Sequence, residues 1–179
     1  VDHNAPVPKG GTVSYKAYGP LERPVTLQGD WGFQWLLPVP EAPGGKLPRM
    51  NVRVPGLWEG EETPIGTKLP PQGRALYTMK ITDLPAGRYQ LYVPPIYGGN
   101  RVYIDGRMLS QRGVPGNDAA ATRYFLRAHE IRFETTGGDL NIGIETSAYL
   151  HRDSGIGTPP VLGLAAPMEF WTAIHWAQE

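Results

Sequence analysis

The sequence predicts an all-β domain, a sandwich or barrel of about ten short strands followed by a short C-terminal helix. Three observations carry that prediction. Glycine and proline supply 23 and 19 of the 179 residues, and they cluster as turns along the chain. Aromatic residues (5 Trp, 9 Tyr and 4 Phe) run through the whole length, unlike disordered chains rich in Gly and Pro. Between the turn clusters, apolar and polar residues alternate with period two, as in strands buried on one face. At this length a compact fold buries about 70% of the surface its unfolded chain exposes, so no covalent or metal staple is needed.

The elements follow in order. Residues 1–24 are an irregular lead-in broken by Pro6, Pro8, Gly10 and Gly11, with one alternating run from Thr12 to Tyr18. Val25 to Leu27 leads through Gly29-Asp30 into Trp31 to Leu36, where Trp31, Phe33 and Trp35 share one strand face. Residues 38–48 are loop, and Met50 to Val54 is a strand stopped by Pro55-Gly56. Leu57 to Gly73 is a long surface loop and the expected moving part. Ala75 to Ile81, Arg88 to Val93 and Arg101 to Ile104 alternate regularly, the last ending at the Asp105-Gly106 turn signal. Thr122 to Arg127, Glu130 to Glu134 and Leu140 to Glu145 are further strands, with Thr136 to Asp139 closing a hairpin. Residues 147–167 read as loop. Met168, Trp171, Ile174 and His175 then recur at helical spacing.

Composition and motif spacing exclude several chemistries. The 17 basic and 17 acidic residues balance, and basic residues never run longer than two, so no nucleic-acid partner is expected. With no cysteine there is no thiol chemistry, and no apolar stretch approaches the ~20 residues of a membrane helix. The nucleophile elbow G-x-S-x-G is absent. His3, His129, His151 and His175 lack metal-ligand spacing, and Asp30, Asp105, Asp118, Asp139 and Asp153 sit at turns, where Asp suits the backbone. Gly98-Gly99 and Gly155-x-Gly157 match neither phosphate-binding fingerprint. Glu59, Glu61 and Glu62 form a solvated loop tip more simply than a glycosidase carboxylate pair. No cofactor, metal or catalytic residue is expected.

A binding surface remains. Trp58, Tyr97, Asn100, Arg101, Arg112, Tyr124, His151 and Arg152 lie in or beside loops, and flat rings with nearby polar donors suit a sugar or other small amphipathic ligand. Trp58 reads equally as a ligand-binding ring or as a lid over the sandwich, and Arg112 has the alternative of merely solvating a turn. Trp31, Phe33, Trp35, Tyr89 and Tyr103 are expected in the core.

Four segments carry a resemblance. Leu27-Gln28-Gly29-Asp30-Trp31-Gly32-Phe33-Gln34-Trp35, Val54-Pro55-Gly56-Leu57-Trp58, Gly73-Arg74-Ala75-Leu76-Tyr77-Thr78-Met79-Lys80-Ile81 and Val102-Tyr103-Ile104-Asp105-Gly106-Arg107 follow one another in a familiar order. Over roughly residues 25–179 the chain resembles the extracytoplasmic N-terminal sensor domain of bacterial seven-transmembrane receptors with diverse intracellular signalling modules. Asp105 departs from that pattern, which usually has Asn there. The same landmarks occur in the sugar-binding jelly-roll domain of family 2 glycoside hydrolases. Both share the galactose-binding-like jelly-roll β-sandwich, which is the fold the resemblance implies.

The receptor resemblance implies a periplasmic, non-enzymatic sensor of a small carbohydrate-like or other polar ligand. Its output would be cytoplasmic, such as a diguanylate cyclase or histidine kinase. It divides the chain into a lead-in (1–24), the ligand-binding sandwich (25–167) and a juxtamembrane connector (168–179). The membrane is then a partner through the chain beyond Glu179, and a homodimer is compatible. The hydrolase resemblance implies instead a non-catalytic accessory domain.

Overall fold

The computed structural model describes residues 1–150 and 153–176. The strands in chain order are β1 (Thr12–Ser14), β2 (Val25–Thr26), β3 (Gly29–Trp35), β4 (Met50–Val54), β5 (Gly56–Leu57), β6 (Gly73–Leu84) and β7 (Gly87–Val93). They continue as β8 (Gly99–Ile104), β9 (Arg107–Arg112), β10 (His129–Thr135), β11 (Gly138–Ala148), β12 (Gly155–Ile156) and β13 (Val161–Leu164), before helix α1 (Ala165–Trp176). A large sheet runs β4-β3-β6-β11-β8-β9, with β1 parallel to the far end of β6; a small sheet runs β10-β7-β13-β2. The fold is a β-sandwich with one C-terminal helix, as the sequence predicts.

Alternation in the strands builds the core between the sheets. On β6, Ala75, Tyr77, Met79 and Ile81 point inward and are buried, while Leu76, Thr78 and Lys80 point outward. Trp31, Phe33 and Trp35 line the same interior from β3, with Phe33 set edge-on to Tyr77 at 5.1 Å. Tyr89 is buried from the small sheet. Tyr103 corrects the core assignment, since its position on β8 faces outward and it is only half-buried.

Several element assignments also change. Thr122 to Arg127 is not a strand: its one ladder contact is an isolated bridge from Arg123 to Val114, and Phe125 and Leu126 stay 50% and 57% exposed. Thr136 to Asp139 does not close a hairpin, because β10 pairs with β7 in one sheet and β11 with β6 and β8 in the other. β9 pairs with β8 across Asp105-Gly106, both at positive φ (49° and 79°), as a two-residue type I′ hairpin requires. The segment 147–167 contains β12 and β13, and the lead-in is woven into the large sheet through β1.

The long loop is a bonded hairpin. The Gly60 N–H donates to Leu69 O, the Leu69 N–H to Glu61 O and the Thr63 N–H to Thr67 O, and β5 pairs with β12 at its base.

Helix α1 covers the outer face of the small sheet. Pro167 falls in its first turn, where a missing N–H leaves no bond unmade. Met168 is fully buried, packed over Gly163 of β13 with Tyr92 and Val161, and Trp171 meets Tyr92 at 5.3 Å. Thr172 receives a hydrogen bond from Gln90. No helix among the described residues is long and apolar enough to cross a membrane.

Candidate functional site

A groove of about 1070 Å³ lies on the outer face of the large sheet. Two cross-strand rows form its floor. The first runs Asn51–Gly32–Thr78–Gly143–Tyr103 across β4, β3, β6, β11 and β8. The second runs Gln34–Leu76–Glu145–Arg101–Gln111 across β3, β6, β11, β8 and β9, and only its members Leu76 and Glu145 line the groove. Glycines on either side of Thr78 lower the floor. A Cβ on Gly32 would overlap Thr78 Oγ1 and stand 3.6 Å from Arg49 Nη2, so the missing side chain is what lets Arg49 reach Thr78, to which it donates at 2.8 Å. A Cβ on Gly143 would meet Leu76 and Tyr103 only at ordinary contact distance, 3.5–3.6 Å, so a methyl would fit there without a clash. Gly10 and Gly11, carried in by the strand pairing of β1, close one end.

Glu145 is the groove's buried anion, 6% exposed. Arg74 donates to its Oε2 through Nε at 2.9 Å and also through Nη2, while Arg101 Nη1 (3.4 Å) and the Tyr103 hydroxyl (3.1 Å) reach Oε1. Arg74 Nη1 also donates to Asn117 at 2.8 Å. Burial first, and then the adjacent Glu145 carboxylate, hold the Tyr103 hydroxyl above the usual phenol range, which keeps it a donor. Glu145 is the only carboxylate among the described lining residues, and its oxygens are occupied. It therefore has no second carboxyl facing it to divide acid and base roles across a sugar. Asn51, Asn117 and Asn141 add amide groups, and Leu36, Met50 and Leu76 add apolar surface. Such a lining can bind a polar molecule and orient it. Among the described residues, no three His, Asp or Glu side chains converge to hold a metal ion.

The residues singled out from the sequence separate into four places. Trp58 is fully buried: its Nε1–H donates to Pro70 O at 3.1 Å, and its ring meets Phe33 and Trp35 edge-on at 6.2 and 5.6 Å. It is core and offers no surface to a ligand. Asn100, fully buried, and Arg112, half-buried, belong to a network around His129 where the edges of the two sheets meet. Asn100 Nδ2 donates to Ile96 O and Gly98 O, leaving its Oδ1 to accept from His129 Nε2–H. His129 Nδ1 then accepts from Ser110 at 2.6 Å, and Arg112 binds Ala128 O at 3.1 Å. Burial first, and then the Arg112 charge, push His129 down to about 4, so it is neutral at pH 7. Arg101 alone reaches the groove, through Glu145. Tyr97 is half exposed, and the Tyr124 hydroxyl holds the next loop by accepting the N–H of Tyr149 and of Leu150. His151 and Arg152 lie outside the described residues.

Sequence reading missed Arg49, Arg74, Thr78, Lys80, Gly143 and Glu145. Their signal was the outward half of each alternation: Arg74-x-Leu76-x-Thr78-x-Lys80 on β6 and Asn141-x-Gly143-x-Glu145 on β11.

No family model and no curated protein matches the chain. Solved structures do. A family 2 β-galacturonidase from Eisenbergiella tayi bound to galacturonate superimposes with a TM-score of 0.57 at 15% identity, covering 79% of this chain and 24% of the enzyme. A β-glucuronidase from Faecalibacterium prausnitzii gives 0.57 at 15% identity, with 78% and 31% coverage. A β-glucuronidase from Ruminococcus gnavus in complex with uronic isofagomine gives 0.56 at 14% identity, with 78% and 28% coverage. The chain thus spans about a quarter to a third of the length of these enzymes. At this identity the likeness carries the fold, which is the galactose-binding-like jelly-roll sandwich found in glycoside hydrolases.

Proposed function

We propose that this domain is a non-catalytic carbohydrate-binding module that takes its ligand in the groove on the large sheet. The observation that carries the reading is the groove's lining: amide and guanidinium donors around an apolar strip, with a lone carboxylate already bonded by three side chains. Sugars need this combination, an apolar face to cover and several hydroxyls to satisfy. The kinship of fold with family 2 glycoside hydrolases supports an accessory role beside a catalytic domain. Titration of isotope-labelled protein with a panel of neutral and acidic mono- and disaccharides tests it. The amides of Thr78, Gly143 and Tyr103 should shift together and saturably. A panel that leaves all three unmoved rejects the reading.

A second reading is the periplasmic sensor domain of a membrane receptor. It draws on the four sequence segments and on α1, whose Phe170 and Ile174 remain 71% and 45% exposed beyond the face packed on the sheet. Sequencing the gene on both sides separates the two. Downstream membrane helices favour the sensor, and further soluble catalytic domains favour the accessory module.

A further inference from the structure

We infer that the groove selects acidic saccharides, with a sugar carboxylate held between Arg49 and Lys80. This deepens the carbohydrate-binding reading and rests on it. Charge is distributed unevenly across this sheet face. On the β8 side, Glu145 is neutralised by Arg74 and Arg101 and receives the Tyr103 hydroxyl as well, so its carboxylate is fully engaged. On the β3 side the balance differs. Arg49 is exposed; its guanidinium donates to a neutral hydroxyl, Thr78 Oγ1, and makes no ion pair among the described residues. Lys80 stands two residues along β6 from Thr78, on the same outward face, and lines the same groove. Among the described residues its counter-charge is Asp139, 3.5 Å away with both side chains about half exposed, a pairing that water and salt largely screen.

The groove therefore holds a surplus of positive charge concentrated at the β3–β6 side. A guanidinium offers paired donors in a plane that matches a carboxylate, and the adjacent ammonium adds a point charge. The amides of Asn51 and Asn141 lie in the same lining and can satisfy hydroxyls of the ring bearing that carboxylate.

The test is a titration with glucuronate and galacturonate, with glucose and galactose as neutral parents and acetate as a bare anion. Each uronate should bind about tenfold more tightly than its parent, as one charge-assisted contact implies. That advantage should shrink as salt rises from low to high concentration. Lys80→Gln and Arg49→Gln should each remove most of the advantage, read as the ratio of uronate to neutral-parent affinity in the same variant. Both side chains are exposed, so the fold should survive. Arg88→Gln on the small sheet, where Arg88 pairs with Glu134, should change nothing. Equal affinity for uronates and neutral parents overturns the inference and leaves the carbohydrate reading standing. Acetate binding as tightly as a uronate also overturns it, making the groove a simple anion site. Silence from every sugar rejects both.

Discussion

The two outward faces of the sandwich were treated differently by the sequence. On the small sheet, Tyr92 and Val161 point away from the core, and α1 lies over them with Met168 buried and Trp171 against Tyr92. On the large sheet, the outward residues of β6 and β11 include Arg74, Thr78, Lys80, Asn141 and Glu145, and among the described residues no helix covers them. An apolar outer face demands a cover; a polar one can stay open to solvent and hold a groove. The covered face contributes stability, and the open one is free to bind.

The largest expected effect tests the covered face. Met168→Ala removes a fully buried side chain from beneath α1 and should cost roughly 2–5 kcal/mol in denaturant unfolding. A loss below about 0.5 kcal/mol would mean that α1 merely rests on the sheet.

Next comes the edge where the two sheets meet. His129 is neutral in the folded state, with its pKa lowered to about 4 against about 6.5 in the unfolded chain. The unfolded state therefore takes up the proton first as pH falls. The stability His129 contributes is complete above pH 6.5 and declines between 6.5 and 4, by up to about 3 kcal/mol. Unfolding midpoints measured across that range should fall toward acid, and His129→Gln should flatten the curve. An unchanged slope in that variant would assign the acid sensitivity to other groups.

The smallest effects compare the two glycines of the open face. Gly32→Ala meets Thr78 and displaces Arg49, and should destabilise by about 1–3 kcal/mol. Gly143→Ala meets only ordinary contacts and should stay within about 0.5 kcal/mol, yet it raises the groove floor and should weaken sugar binding. Equal costs at the two positions would contradict the floor geometry.

The covered face and the core were largely legible in the sequence, and the open face was not. Alternation marked β4 at its observed limits and most of β6, β7, β10 and β11, and helical spacing found α1 to within three residues of its start. Aromatic placement identified the core at Trp31, Phe33, Trp35 and Tyr89. The errors have local causes. Thr122 to Arg127 has strand-like composition, but Phe125 and Leu126 have no sheet to face. β13 is a four-residue apolar run behind Pro159-Pro160, too short to stand out from loop. The groove could not be read because Gly32, Thr78, Gly143 and Tyr103 become neighbours only through the register of four strands distant in the chain. Loop aromatics drew attention instead, and Trp58 proved to be core.

The strand order of the large sheet also governs how quickly this domain can form. Arg74 and Glu145, neighbours across β6 and β11, are 71 residues apart in the chain, and β1 waits for the far end of β6. Each pairing closes a long loop before any contact rewards it, which places folding in the slow range for small domains, milliseconds to seconds. During synthesis β6 must leave the ribosome and persist with a bare edge until β11 follows. In that interval its apolar inner row (Ala75, Tyr77, Met79 and Ile81) is the segment of the sheet most open to pairing with a neighbouring chain.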